Sequence, residues 1–526
     1  MTNEMDSCGM KRGSLSVLFP TASSCRTDDS APVVLSMDST KQIRRGGFTL
    51  VEMLVTTAVT LTILLALVNV FSWVGDRVAS GRAMIEMSNV LRAASTRLRN
   101  DLDNMTVPVR PFPAPDSAQG YFEYIERPLN DDSGRQRAVP ESLIGDTDDI
   151  LAFTARSIGD PYTGQWLGYA GGGLVPRAIT SQQAEIYWWA QYDDINGDLV
   201  TTPDEQVSLV LHRRALLIRP DLNQANGMMF SLPSYFNPGK NTYNGNNPSD
   251  VTLLINDLRR LYNTTNISFR LTSGGTISSF SISVVANTLA DLSQRQNRWL
   301  RRPYVQVNPT TGAPIIPLPG VPQFPFPVDE TGSVTSLSLV ANYGDRLGED
   351  IILSNVLAFD VRAFDPTARI VAPSGVALLP PDPGWTPALA ANNANVVGQG
   401  GFVDLNYQRA YGTSWNNGAN SVFSGGMNPK ARLNSPNINY ACYDTWSFFY
   451  EHDGIDQDGL LGTDQGTDGV DNNPTGATLG TDDPSERETL PPYPVALRGI
   501  QVMIRVIDND TRQVRQATIV SNFIPD

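Results

Sequence analysis

Between Phe48 and Val74 the chain carries a 27-residue run with one charge in it, Glu52. At about 1.5 Å per residue a helix of that length crosses a hydrocarbon layer of about 30 Å with some to spare. Nothing else in the 526 residues is apolar enough to do so, which excludes a polytopic membrane protein. Lys41, Arg44 and Arg45 stand just before the run and predict that this end stays in the cytoplasm. A secretory signal fits poorly: the run is longer than an h-region of about 7–15 residues, and Asp76-Arg77 follows where small residues would mark a cleavage site. Glu52 is the anomaly, because a carboxylate about one turn inside a membrane helix is costly and needs a partner.

The residues around it, Gly47-Phe48-Thr49-Leu50-Val51-Glu52, follow a basic leader and open the apolar run. At every position they match the N-terminal signature of the type IV pilins and type II secretion pseudopilins, and the chain resembles that family here. The resemblance implies cleavage between Gly47 and Phe48 by a membrane aspartyl prepilin peptidase and methylation of the new Phe48 amine. It also implies that the Glu52 carboxylate faces the N-terminal amine of a neighbouring subunit in a filament. Since breaking a buried ion pair costs several kcal/mol, Glu52 would select the register of assembly. The implied partners are prepilin peptidase, other pseudopilins or pilins met through the N-terminal helix, the inner-membrane assembly platform and the lipid bilayer. The implied location is the inner (cytoplasmic) membrane, single-pass, with the N-terminus cytoplasmic and the head periplasmic or otherwise extracytoplasmic.

Residues 1–47 are then a leader, long for the family; a start at Met37 would give one of eleven residues. Cys8 and Cys25 go with the leader, leaving Cys442, expected as a buried small hydrophobe.

Beyond residues 48–74, the transmembrane and filament-core segment, apolar residues recur at three- and four-residue spacing: Met84, Met87, Leu91, Ala94, Leu98, Leu102 and Met105. The spacing predicts that residues 75–106 continue the helix with one face on a core, ended by Val107-Pro108. The fold class expected is α+β: a long N-terminal transmembrane helix continuing into an amphipathic helix packed on an antiparallel β-sheet head, residues 107–526.

At the end of the helix and into the head, Arg97 to Leu102 followed by Val107-Pro108-Val109-Arg110-Pro111 is similar to the J-type minor pseudopilins. So, in order, are Asp149 to Arg156, Glu185 to Trp189 and Val207 to Arg214. Ile267 to Leu271 and Ile277 to Val285 flank Ser273-Gly274-Gly275 and predict a hairpin, and Val334 to Val340 alternates as a strand. At the C-terminus, Ile500, Val502, Ile504 and Val506 share a face, Asp508 to Thr511 turns, and Val514 to Val520 returns. Segments near 222–250, 303–327 and 366–439, rich in Gly, Pro and Asn, are expected as insertions.

The net charge of −15 makes nucleic acid a poor partner, and its source is local. Residues 451–489 form an acidic loop with eleven carboxylates against one cation, Arg487. Asp453, Asp456, Asp458, Asp464, Asp468 and Asp471, interleaved with glycines, look like a calcium site, since a hard cation takes six to eight oxygens. They do not fit an EF-hand, whose twelfth position requires Glu, and a solvated run of Asp-Gly turns is the alternative.

With only His212 and His452, a three-histidine metal site is impossible. His212, beside Arg213 and Arg214 in an alternating strand, is expected at the surface. There is no Walker loop, nucleophile elbow, HExxH or strand-linked GxGxxG, so no enzyme is expected. The favoured reading is a structural minor pseudopilin at the initiation or tip complex of a type II secretion pseudopilus. The alternative is a minor pilin or tip adhesin of a type IV pilus, acting as a surface-binding module.

Overall fold

The computed structural model describes residues 48–113, 118–126, 145–192, 209–299, 351–407 and 441–523, with short breaks inside these ranges, and two strand fragments at 306–307 and 314–315. The chain divides into two compact units, residues 1–74 and 75–526.

Helix α1 spans Leu50–Asp103. In the second unit its buried residues are Leu91, Ala94, Leu98 and Leu102, with Met87 and Met105 packed beside them. These are six of the seven positions the spacing predicts, Met84 being half-buried outside this core, and the helix ends four residues before Val107-Pro108. Each fully buried leucine contributes about 1.5–3 kcal/mol.

The strands are β1 Phe122–Glu126, β2 Ile150–Arg156, β3 Tyr162–Ala170, β4 Gly173–Ser181, β5 Gln183–Tyr192 and β6 Leu209–Leu217. Then come β7 Phe230–Ser231, helices α2 Leu232–Phe236 and α3 Pro248–Thr264, β8 Phe269–Thr276, β9 Ser279–Ala286 and helix α4 Leu289–Ser293. The short β10 Gln306–Val307 and β11 Pro314–Ile315 precede β12 Ile351–Val371, β13 Val396–Val403, β14 Ala441–Asp444, β15 Gly499–Ile507 and β16 Val514–Asn522. The protein is α+β.

Among the described residues, nine strands form one antiparallel sheet in the order β14-β1-β2-β5-β6-β12-β15-β16, with β13 also paired to β12. One face meets the α1 stripe in a core containing Phe122, Phe153, Trp188, Phe359, Val502 and Ile504. Over β1, β2, β5 and β6 the other face is covered by the segment carrying Leu292 and Trp299. Double coverage explains why Ile186-Tyr187-Trp188-Trp189 is apolar without alternation. The C-terminal hairpin forms as expected, Ile507 opposite Val514, with Asp508 Oδ1 accepting from the Thr511 N–H at 2.7 Å.

Elsewhere the structure differs from expectation. The β8–β9 hairpin exists, but Thr276 pairs with Ser279, so Gly274 and Gly275 lie in the strand rather than the turn. Residues 222–250 hold β7, α2 and the start of α3, which pack with β8 and β9 around Leu232, Leu254, Leu261 and Val284. β12 runs through Pro366 to Val371, since the β12–β13 register shifts between Asp365 and Arg369, and a proline is tolerated at such a bulge. The Val334 to Val340 strand and most of 303–327 lie outside the described residues, as do 408–439.

Candidate functional site

Thr49 sets the start of α1. Its Oγ1 accepts the Glu52 N–H at 3.2 Å and its carbonyl the Met53 N–H at 3.1 Å. Thr-x-x-Glu is a capping-box sequence, and an acid in the first turn suits the positive end of the helix dipole. Thr49 thus caps the helix, and Glu52 is the acid of its first turn. Beyond it the surface is apolar and open: Phe48 is 73% exposed and Phe71 71%. The hydroxyls of Thr56, Thr57, Thr60 and Thr62 donate back to helix carbonyls at 2.6–3.0 Å, so these groups need no water. The helix is long and apolar enough to cross a membrane. Gly47, the residue before the expected cleavage, lies outside the described residues.

At the other end of α1 a polar clamp ties helix to sheet. Buried Asp101 accepts from Arg213 Nε at 2.7 Å, Arg213 Nη2 at 2.9 Å and Trp188 Nε1 at 3.0 Å. Two parallel guanidinium bonds to one carboxylate fix orientation as well as distance. On the opposite face Arg295 and Arg298 meet Glu123 and Asp444 at 2.7–3.2 Å, all four buried, two charges of each sign. Cys442 is buried beside them, its Sγ 3.5 Å from Glu123 Oε1.

His212, expected at the surface, is 4% exposed and stacks on Trp189 with centroids 5.0 Å apart. Burial, helped by Arg214, lowers its pKa to about 4. The second face of the strand is covered as well, so its polar positions are buried despite the alternation.

In the acidic loop the carboxylates bind the loop's own amides. Asp453 accepts from the Ile455 N–H at 2.9 Å, Asp456 from Gly459 at 2.6 Å and Asp464 from Gly454 at 3.1 Å. Asp468 accepts from the Val470 N–H and from Asn472 Nδ2, and the bond from Asn472 is the main reason its pKa is lowered. Glu451 closes the base, holding the N–H groups of Glu488 and Thr489, each at 3.1 Å. Asp471 is half-buried, and Asp458 lies outside the described residues.

Among the described residues, the carboxylates that converge are Glu126, Asp146 and Asp149, with ligand oxygens within 4.8 Å of one another. Glu126 ends β1, Asp149 stands just before β2, and Asp146 is held along β12 by its carbonyl, which accepts the Phe359 N–H at 2.9 Å. Asp149 Oδ2 accepts the Val361 N–H at 2.5 Å. Tyr124 donates to Glu126 Oε2 or to the Val361 carbonyl. Asp360 and Asp404 stand close by and share Arg362, at 2.6 and 3.3 Å. Burial raises the pKa of Glu126 well above the carboxylate range, and Asp149, Asp146 and Asp404 push it the same way. Asp360 is raised as well, by burial and then by Asp404. Sequence reading missed this centre. Its one local trace is the run Asp146-Thr147-Asp148-Asp149, and Glu126 arrives only through the β1–β2 pairing.

Comparison of the chain with known protein families, with curated proteins and with solved structures returns no match.

Proposed function

We propose that the protein is a structural filament subunit, a J-like minor pseudopilin that helps to initiate or cap a type II secretion pseudopilus. In this reading prepilin peptidase cuts before Phe48, and α1 anchors the subunit in the membrane until assembly. The later turns of α1 carry the head. The observation that carries the proposal is Gly47-Phe48-Thr49-Leu50-Val51-Glu52 opening a helix apolar and exposed through its first turns and buried on one face in its last. An apolar surface of that extent on a single chain needs lipid or neighbouring helices around it.

Glu52 has two candidate roles that a substitution separates. A capping box accepts Gln at its third helical position as readily as Glu, and the dipole contribution of the charge is only about 0.3–1 kcal/mol. Pairing with the amine of an adjacent subunit needs the charge. Glu52→Gln is therefore expected to keep helix and cleavage but to be left out of filaments formed with sister subunits, as is Glu52→Ala. Normal incorporation of either variant in a pull-down of the assembled filament would falsify the pairing role.

Binding of glycans or host surfaces by the head would favour the tip-adhesin alternative, with the packed β7–β9 and α3 unit as its contact surface.

A further inference from the structure

We propose that Glu126, Asp146 and Asp149 form a binding site for a hard divalent cation of the calcium class, which ties the ends of β1 and β2 to β12. The site is separate from the acidic loop and does not depend on the filament role.

Three observations carry it. The first is spacing. Ligands on one calcium ion at about 2.3–2.6 Å can lie no more than about 5 Å apart, and the three carboxylates meet that limit as they stand, within 4.8 Å. The second is an oxygen with no other use. Glu126 is 1% exposed, its Oε2 accepts from Tyr124, and its Oε1 has no hydrogen-bond partner. Buried polar atoms are almost always satisfied, so a carboxylate oxygen left bare inside an acidic cluster marks where a ligand belongs. Asp360 Oδ1, in the same cluster and equally buried, is also without a partner.

The third is charge. Five carboxylates gather here: Glu126, Asp146, Asp149, Asp360 and Asp404. Arg362 is engaged by Asp360 and Asp404, and Arg505, which passes beside Gly145, bonds Gln516 across the hairpin. Among the described residues, Glu126, the acid whose Oε1 lacks a hydrogen bond, has only other carboxylates and Tyr124 acting on it electrostatically, which a bound cation would balance. The donor set is oxygen only, which selects calcium or magnesium over zinc or copper. Asp146 is half-buried and the most exposed of the three.

The test is calorimetric titration of the full detergent-solubilised chain, stripped with EDTA, with CaCl2. Wild type, Glu126→Gln, Asp146→Asn and the loop variant Asp456→Ala/Asp464→Ala are compared, with aromatic circular dichroism to confirm folding. The proposal expects Glu126→Gln to bind one ion per chain fewer than wild type and to lose the calcium-induced rise in melting temperature. Asp146→Asn, at the most exposed of the three and least able to disturb the fold, is expected to weaken that ion at least tenfold and stands in should Glu126→Gln fail to fold. The loop variant is expected to keep the ion. Absence of calcium binding at millimolar concentration overturns the proposal. So does an unchanged stoichiometry and affinity in the triad variants, or loss of all calcium binding in the loop variant alone.

Discussion

Removing Asp101 is expected to loosen the join between α1 and the sheet, and its cost follows from what the side chain holds. Its two oxygens accept three bonds, two from Arg213 and one from Trp188, at a site where both charged partners are buried. Asp101→Leu leaves a guanidinium buried without its counter-ion, a loss of about 3–5 kcal/mol. Arg213→Met leaves the carboxylate in the same position and should cost a similar amount. The double variant replaces the pair with apolar groups of comparable size and should cost less than either single change, since the desolvation of both charges disappears with them. Equilibrium urea unfolding of the detergent-solubilised chain, followed by aromatic circular dichroism, measures all three. Exposed Asp103, two residues on, is the control: Asp103→Ala should stay within about 0.5 kcal/mol. Additive single-variant costs, or a loss for Asp101→Leu no larger than the control, would refute the clamp.

His212 supplies a pH dependence whose sign is fixed. Its folded pKa, about 4, lies below the unfolded value of about 6.5, so its contribution is full above about pH 6.5 and lost as pH falls towards 4. Stability of wild type relative to His212→Phe should therefore drop by about 2–3 kcal/mol between pH 7.5 and 4.5, and a flat difference would count against neutral burial on Trp189. Leu98→Ala, at a side chain with no exposure, should cost about 2–5 kcal/mol in urea unfolding, while Val90→Ala on the exposed face changes little.

Local patterns predicted the elements whose environment is simple. The stripe from Met87 to Met105 faces one core, so its period is visible in the sequence, and the C-terminal hairpin alternates with a turn acid between its arms. Reading weakened where a strand is covered twice. His212 looks like a solvent-facing position by alternation, yet the segment carrying Trp299 closes that side. Pro366, expected to open an insertion, lies instead within β12 at a bulge. The converging acids had no pattern to find, because Glu126 and Asp149 meet only after β1 and β2 pair, and Asp360 joins from β12. The acidic loop carried a conspicuous pattern, and Asp453, Asp456, Asp464 and Asp468 in it accept from backbone amides of the loop.

The most direct test of the central claim is the intact mass of the protein extracted from membranes that contain an active prepilin peptidase. Processing before Phe48 predicts the mass of Phe48 to Asp526 with one methyl group added. A chain that keeps its leader, or one cut at any other bond, contradicts it.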